Sequence, residues 1–405
     1  MNLDKIGANP VCSPQSLPIK GEEKMKKTTI ATIKEIKDNE NRVGLTPDGA
    51  KRLVLSGHEV IVQAGAGLGA GFSDADYLAA GAKIMDNPVD IIQRADILVK
   101  VKEPIGAEYH LLDMFQGKVL FTYLHLAAAP KELTEKLLEN RITAIAYETV
   151  EDGEGNLPLL FPMSQVAGVL ATQYGAEYLQ KKYGGRGVTL GIIEGAPLAE
   201  VVVVGGGTVG TAAARLAAGM GARVTMLEAK DERIRELWEK FLHYENVTIV
   251  KSGPGDVEYL KAAVKKADLL VGAVLVPGAK APIVVTEKMV QSMKPGAVIV
   301  DVAIDQGGCV YGSHATMHSN PIFRNENGII YCCVANMPGQ AALQSTQALT
   351  NSTLPYLLRL AERGLDALQE DPGFLKGLNA YGGKITYRAV AEDLGMLNQY
   401  AAFSG

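Results

Sequence analysis

Along this chain, short β-rich apolar runs alternate with longer stretches whose apolar positions recur at helical spacing, starting at Thr28. TIATI reads as a strand, PDGAKRLVLSG as a helix, HEVIVQAG as a strand, DADYLAAGA as the centre of a helix and ADILVKV as a strand. KVLFTYLHL, PKELTEKLLENR and TAIAYETV repeat the strand, helix, strand order up to about Val150. This alternation predicts an α/β lobe with its own parallel sheet. The loop EDGEGNLPL, with two glycines, several acidic residues and a proline, reads as a lobe boundary. SQVAGVLATQYGAEYLQKKYGG then reads as a long helix.

A second lobe starts with the run VVVVGGGTVG, which ends in Gly205, Gly207 and Gly210 at G-x-G-x-x-G spacing. The segment TAAARLAAGMGARVTMLE supplies a small-residue helix and another β-rich run, closing on Glu228, 18 residues after Gly210. A glycine triplet alone is a weak signal. With the strand before it, the helix after it and the terminal acid, it predicts a dinucleotide-binding βαβ unit. Gly205 permits the tight turn, Gly207 lets backbone N–H groups approach a pyrophosphate, and Gly210 lets helix and strand pack closely. A carboxylate at Glu228 can accept hydrogen bonds from both ribose hydroxyls and repel the extra phosphate of NADP, so NAD is the expected cofactor. The nearby Lys230 and Arg233 leave room for some use of NADP.

VTIVK, the helix DVEYLKAAVKKA, the strand DLLVGAVL, the helix TEKMVQSMKPG and the strand AVIVDVAI complete a doubly wound sheet. MPGQAALQSTQALTNSTLPYLLRLAERG reads as a long helix, with Pro355 a candidate kink, that returns the chain to the first lobe. The expected fold is α/β with two Rossmann-like lobes linked by long helices. It comprises a disordered tail over 1–24, a discontinuous substrate domain over 25–155 and 340–405, and an NAD-binding doubly wound parallel sheet over 156–339. A cleft is expected at the C-terminal strand ends.

Composition narrows the partners. The 405 residues suit two domains, each with its own core. A formal net charge of -5 gives no electrostatic case for nucleic acid or an anionic membrane surface. No apolar stretch approaches the roughly 20 residues that cross a bilayer. The first 24 residues lack a hydrophobic signal region, and Met25 opens a segment that reads as a natural start. Cys12, Cys309, Cys332 and Cys333 form no C-x-x-C pair and no zinc-finger spacing, so no metal is expected. Buried thiols in a reducing cytoplasm are the default reading. Small molecules are the expected partners.

Four segments place an ionisable group at a strand end or turn: NENRVGLTP, KVKEP, YLHLA and DVAIDQGG. The guanidinium fork of Arg42 suits a substrate carboxylate, although an arginine beside Glu40 is often a plain surface charge. Lys102 leaves a strand just before Pro104 and can either polarise a carbonyl in the cleft or sit solvated. His125, one of six histidines, follows a strand where α/β enzymes hold reactive groups; a packed, hydrogen-bonded imidazole is the alternative. Asp305 lies at the glycine-loosened exit of AVIVDVAI, with Asp301 as its rival deeper in the sheet.

Together with PMSQVAG, GAVLVPGAKAP, MKPGAVIVDVAIDQGG and YCCVANMPG, these segments resemble the alanine dehydrogenase and transhydrogenase alpha-subunit family from about Met25 to the C-terminus. The resemblance implies reversible, NAD-dependent oxidative deamination of L-alanine to pyruvate and ammonium, with Arg42 and Lys102 holding the substrate and His125 and Asp305 as the catalytic pair. It implies nucleotide contacts at Ser164, Gly205, Gly207, Gly210, Glu228, Arg233, Ser252, Val274, Leu275, Val302, Ala303, Ile304, Asp305, Val334, Ala335, Asn336 and Met337. It also implies a cytoplasmic homo-oligomer, typically a hexamer. Two positions depart from the family pattern: Glu228 stands where Asp is common, and His314 where some members carry Arg. An opine or lysine-pathway dehydrogenase and a transhydrogenase nucleotide module are the competing readings.

Overall fold

Fifteen strands fall into two sheets in the computed structural model, which describes residues 27–253, 255–274 and 281–404. The expected tail over 1–24 and Leu275 lie outside the described residues. The first sheet begins with β1 (Thr29–Thr32), β2 (Glu59–Gln63), β3 (Lys83–Met85), β4 (Ile97–Val99), β5 (Val119–Thr122) and β6 (Thr143–Ala146). The second contains β7 (Glu200–Val204), β8 (Arg223–Glu228), β9 (Val247–Lys251), β10 (Leu269–Gly272), β11 (Val298–Asp301), β12 (Ile322–Arg324) and β13 (Ile330–Cys332). The chain then returns to the first sheet with β14 (Leu378–Tyr381) and β15 (Lys384–Ile385).

The strand orders are β15-β14-β6-β5-β4-β1-β2-β3 and β12-β13-β11-β10-β7-β8-β9. In each sheet the chain starts in the middle, winds to one edge and then crosses to the other side, the doubly wound pattern. Neither sheet is purely parallel. β14 runs antiparallel to β6, β15 antiparallel to β14, and β12 antiparallel to β13. A short reversal such as Gly382–Gly383 between β14 and β15 allows only an antiparallel neighbour, because a parallel one needs a crossover.

Period-two alternation divides the side chains of the first sheet between two cores. Ile30, Val60, Val99 and Phe121 pack with Leu349, Leu357 and Leu360 of the return helix Ala342–Arg363. Ala31, Ile61, Leu98 and Leu120 pack on the other face with Ile91, Leu133 and Leu137. In the second sheet Val201 and Val203 meet Ala213, Ala214 and Ala217 of helix Thr208–Met220, together with Ala171 of helix Phe161–Tyr178. Val202 and Leu270 meet Leu260 and Val264 on the opposite face. Burial on both faces explains the unbroken valine run that opened the fingerprint. Helix Ala342–Arg363 runs through Pro355. Pro355 and Asn351, whose carbonyl loses its helical donor, are both exposed, so water can satisfy that group.

Several expected strands end early, KVLFTYLHL at Thr122 and TAIAYETV at Ala146 among them. ADILVKV stops at Val99, DLLVGAVL at Gly272, and AVIVDVAI at Asp301, after which Val302–Gln306 forms a 3-10 turn. The buried Asp301 carboxylate explains the last ending: it accepts from the N–H groups of Ala303, Cys309 and Val310 and so winds the chain around itself.

Candidate active site

In both sheets the strand order reverses at one place, between β1 and β4 and between β7 and β10. Loops leaving such neighbouring strands diverge to opposite faces and open a crevice at the C-terminal strand ends. Arg42 and Lys102 lie on the loops after β1 and β4, and the glycine turn and Val274 lie after β7 and β10. His125 follows β5, and Asp305 sits in the turn after β11.

The glycine turn has the shape of a dinucleotide cradle. Gly205 has φ +101°, and a Cβ there would lie 2.5 Å from the carbonyl oxygen of Ala273. A Cβ on Gly210 would stand 1.9 Å from the carbonyl oxygen of Gly205. Around Gly207 nothing lies within 4 Å, and this residue starts helix Thr208–Met220 without any side-chain cap. Uncapped N–H groups at a helix start, facing open space, suit a phosphate. A dinucleotide therefore fits the residues present.

Glu228 is already engaged. Its carboxylate accepts from Gly206 N at 2.8 Å, Ala229 N at 2.8 Å and Lys230 N at 3.0 Å, which ties the end of β8 to the glycine turn. A carboxylate offers about four acceptor positions, so at least one stays available to a ribose hydroxyl. Arg233 braces the same turn through Nε, 2.7 Å from the carbonyl oxygen of Gly206, and Nη2, 3.2 Å from Thr211 Oγ1. Ser252 N donates to the carbonyl oxygen of Glu228. Ser164 lies near the start of helix Phe161–Tyr178, half-buried. Val302, Ala303 and Ile304 form the turn that carries Asp305, which is itself exposed. Val334 and Met337 are buried, and Ala335 lies between them half-buried. His314 stacks on Phe323 with ring centroids 3.6 Å apart.

On the other side, Arg42 is no surface charge. Its side chain is 2% exposed and grips Glu40 through Nε at 2.7 Å and Nη2 at 2.5 Å. Nη2 also donates to Asn336 Oδ1 at 2.6 Å, while Nη1 faces the sulfur of Met163 at 3.0 Å. The fork expected to hold a substrate is thus shared with Glu40, leaving Nη1 as the nitrogen with no oxygen partner among the described residues. Burial pushes the Glu40 carboxyl up, but the Arg42 charge outweighs it and brings the group down to about 2. Asn336 also donates to Glu40 Oε2 at 2.9 Å, from a left-handed backbone at φ +62°. A residue expected to touch the nucleotide is therefore bonded to the arginine expected to hold the substrate.

Lys102 is buried, and its ammonium donates to no described residue. Burial raises the neighbouring Glu103 carboxyl, but Lys102 and Lys37 hold it below the usual carboxylate range. His125 adopts φ +45°, a conformation that L side chains rarely take. Glu148, which the sequence reading missed, holds it there: its carboxylate accepts from His125 N at 2.6 Å and Leu124 N at 3.2 Å, and lies 3.9 Å from the ring Nδ1. The imidazole stacks parallel to the Tyr123 ring at 5.6 Å. Asp301 is fully buried, whereas Asp305 is exposed, so of the two only Asp305 is free to meet a ligand. Cys309, Cys332 and Cys333 are buried, and burial pushes the Cys332 and Cys333 thiols up to about 12.

Residues 31–167 match the family model "Alanine dehydrogenase/PNT, N-terminal domain", and residues 171–388 match "Alanine dehydrogenase/PNT, C-terminal domain". The chain belongs to the alanine dehydrogenase/PNT family. It is 51% identical over 365 residues to an alanine dehydrogenase of Methanococcus maripaludis, covering 90% of this chain and 95% of that protein. It is 49% identical over 368 residues to an alanine dehydrogenase of Bacillus subtilis, covering 90% and 94%. Among solved structures, an L-alanine dehydrogenase aligns with a TM-score of 0.85 at 47% identity, covering 91% of this chain and 99% of that one. A transhydrogenase from Sinorhizobium meliloti shares the fold, with a TM-score of 0.75 at 24% identity over 88% and 99%. Membership of the alanine dehydrogenase/PNT family makes the chain an oxidoreductase that uses a nicotinamide cofactor. Among the described residues no helix is long and apolar enough to cross a membrane.

Proposed function

We propose that this protein is an alanine dehydrogenase: L-alanine, NAD and water give pyruvate, ammonium, NADH and a proton, reversibly. The observation that carries the reading is the concentration of ionisable groups at one crevice. Arg42, buried, and Lys102, whose ammonium donates to no described residue, follow the two strands that border the reversal in strand order, and the backbone-strained His125 follows β5, the next strand beside β4, in a chain about half identical to curated alanine dehydrogenases.

A nicotinamide dinucleotide bound in the glycine cradle supplies the hydride acceptor. Arg42, held by Glu40 and Asn336, orients the substrate carboxylate through Nη1. Lys102 places positive charge beside the oxygen that becomes the pyruvate carbonyl, which stabilises charge developing there. When the α-carbon has become an imine, His125 takes the proton from the attacking water and returns it to the nitrogen as the carbinolamine expels ammonia. Asp305 steadies the departing ammonium from the opposite lobe. The carboxylate of Glu228 at the end of β8 supports NAD over NADP.

The reading extends to a cytoplasmic homo-oligomer, a hexamer by the family's habit, with exposed Leu55, Leu68, Leu78 and Leu343 offering apolar area for contacts between copies. An assay of NADH formation with a panel of amino acids tests the central claim. L-Alanine should give the highest kcat/KM, and no NADH formation with L-alanine would overturn it.

A further inference from the structure

We propose that Glu35, Lys100 and Glu108 form a buried bracket whose task is to fix Lys102 in the substrate site. Lys100 is 1% exposed, and its ammonium sits 2.9 Å from Glu35 Oε2 and 2.9 Å from Glu108 Oε1. The second oxygen of each carboxylate goes to the backbone on either side of Lys102. Glu35 Oε1 accepts from Val101 N at 2.6 Å and from Lys102 N at 3.4 Å, while Glu108 Oε2 accepts from Ile105 N at 3.1 Å. The five residues from Val101 to Ile105 are thus gripped at both ends, and Lys100 joins the two grips into one unit.

Two further bonds brace the same stretch. Tyr147 donates its hydroxyl to the carbonyl oxygen of Lys100 at 3.1 Å, and Thr122 donates to that of Lys102 at 3.2 Å. Pro104 limits the backbone at Glu103 to extended conformations, so the turn has little freedom left. Lys102 contrasts with its neighbour. Its ammonium donates a hydrogen bond to no described residue, and a four-carbon stem is flexible, so its position is set by the backbone that carries it.

Stability alone does not account for this arrangement. Three desolvated charges, two of them alike, are commonly matched or bettered by an apolar trio of the same volume, so a buried group of this kind is retained where it specifies one conformation. The bracket also spans the crevice at its base: Glu35 lies on the loop after β1, the loop that carries Arg42, and Lys100 directly follows β4. It therefore sets the spacing between the loops that bear the two substrate cations. Glu35, Lys100 and Glu108 are positioning residues, acting through Lys102.

The inference rests on the reading of Lys102 as a substrate ligand, and a double-mutant cycle separates the two. Glu35→Gln and Glu108→Gln keep the shape of each side chain and weaken its hold on the ammonium. In the full-length protein each should lower kcat/KM for pyruvate about 10- to 100-fold, with NADH affinity by fluorescence titration and melting behaviour showing that the variant is folded. In a Lys102→Ala background the same changes should alter kcat/KM by less than about twofold, because the group they position is gone. Equal losses in both backgrounds, or parent kcat/KM in either folded glutamine variant, would overturn the bracket. A Lys102→Ala variant at the parent kcat/KM would instead remove Lys102 from the substrate site, and the bracket's purpose with it.

Discussion

Asn336 Oδ1 accepts a hydrogen bond from Arg42 Nη2 at 2.6 Å across 294 residues of sequence. The bond joins the loop after β1, in the first sheet, to the segment after β13, in the second. Asn336→Ala should therefore affect both ends of the crevice. The Michaelis constant for pyruvate is expected to rise about tenfold, an interaction loss of roughly 1.4 kcal/mol, because a hydrogen bond to a charged group contributes about that much. Steady-state kinetics with pyruvate varied at saturating NADH would show it, and an unchanged constant would deny Asn336 any role in holding Arg42.

The Glu40 carboxyl, drawn down from 4.5 to about 2 by Arg42, gives a pH dependence with a definite sign. A depressed carboxyl pKa contributes stability above the unfolded value, and that stability is lost as pH falls through the folded one. Glu40→Gln leaves a buried guanidinium without its counter-charge and should cost about 3 kcal/mol at neutral pH. The gap between parent and variant should narrow as pH drops from about 4.5 toward about 2. Denaturant titrations of both proteins at several pH values measure it, and a gap independent of pH in that window would contradict the ion pair.

His125→Asn separates chemistry from backbone. Asparagine tolerates the left-handed conformation that φ +45° demands but exchanges no proton near neutral pH. Turnover should fall by about 10²- to 10⁴-fold while NADH affinity and melting temperature stay near those of the parent. A rate constant within twofold of the parent would remove His125 from the reaction.

Two glycines of the turn should respond in opposite ways. A Cβ at Gly210 would stand 1.9 Å from the carbonyl oxygen of Gly205, so Gly210→Ala must push helix Thr208–Met220 off β7 and lower the melting temperature. Gly207 has ordinary φ, -64°, and open space around it. Gly207→Ala should keep the parent melting temperature yet bind NADH about tenfold more weakly, since the methyl group stands where phosphate would approach. Equal NADH affinity in Gly207→Ala would place the pyrophosphate elsewhere.

Much of this was legible in the residues. The valine run, its glycines and the terminal Glu228 marked β7, its helix and β8, because a doubly buried strand must be continuously apolar. Arg42, Lys102 and His125 stood out because each follows a strand end. β3, with its three residues, helix Pro88–Arg94 and the hairpin of β14 and β15 carry patterns too short to read from the sequence. Helix Asp231–Lys240 does carry apolar positions at helical spacing, Ile234, Leu237 and Trp238, but they are outnumbered by charged residues. The end of β11 was misplaced because VAI is as apolar as the strand before it, and only the buried Asp301 reveals the turn. Glu35, Lys100, Glu108 and Glu148 were not foreseen, since nothing in local spacing tells a charge that will be buried and paired from one that will be solvated.

The antiparallel seating of β14 beside β6 closes a loop through the whole chain: the first sheet is completed by residues that follow the entire second one. On a ribosome, residues 200–332 emerge and can pair among themselves while β6 still has a bare edge, its N–H and C=O groups open to any passing strand. The second sheet should thus be the earlier to mature during synthesis. The first sheet stays the vulnerable one until β14 and β15 arrive.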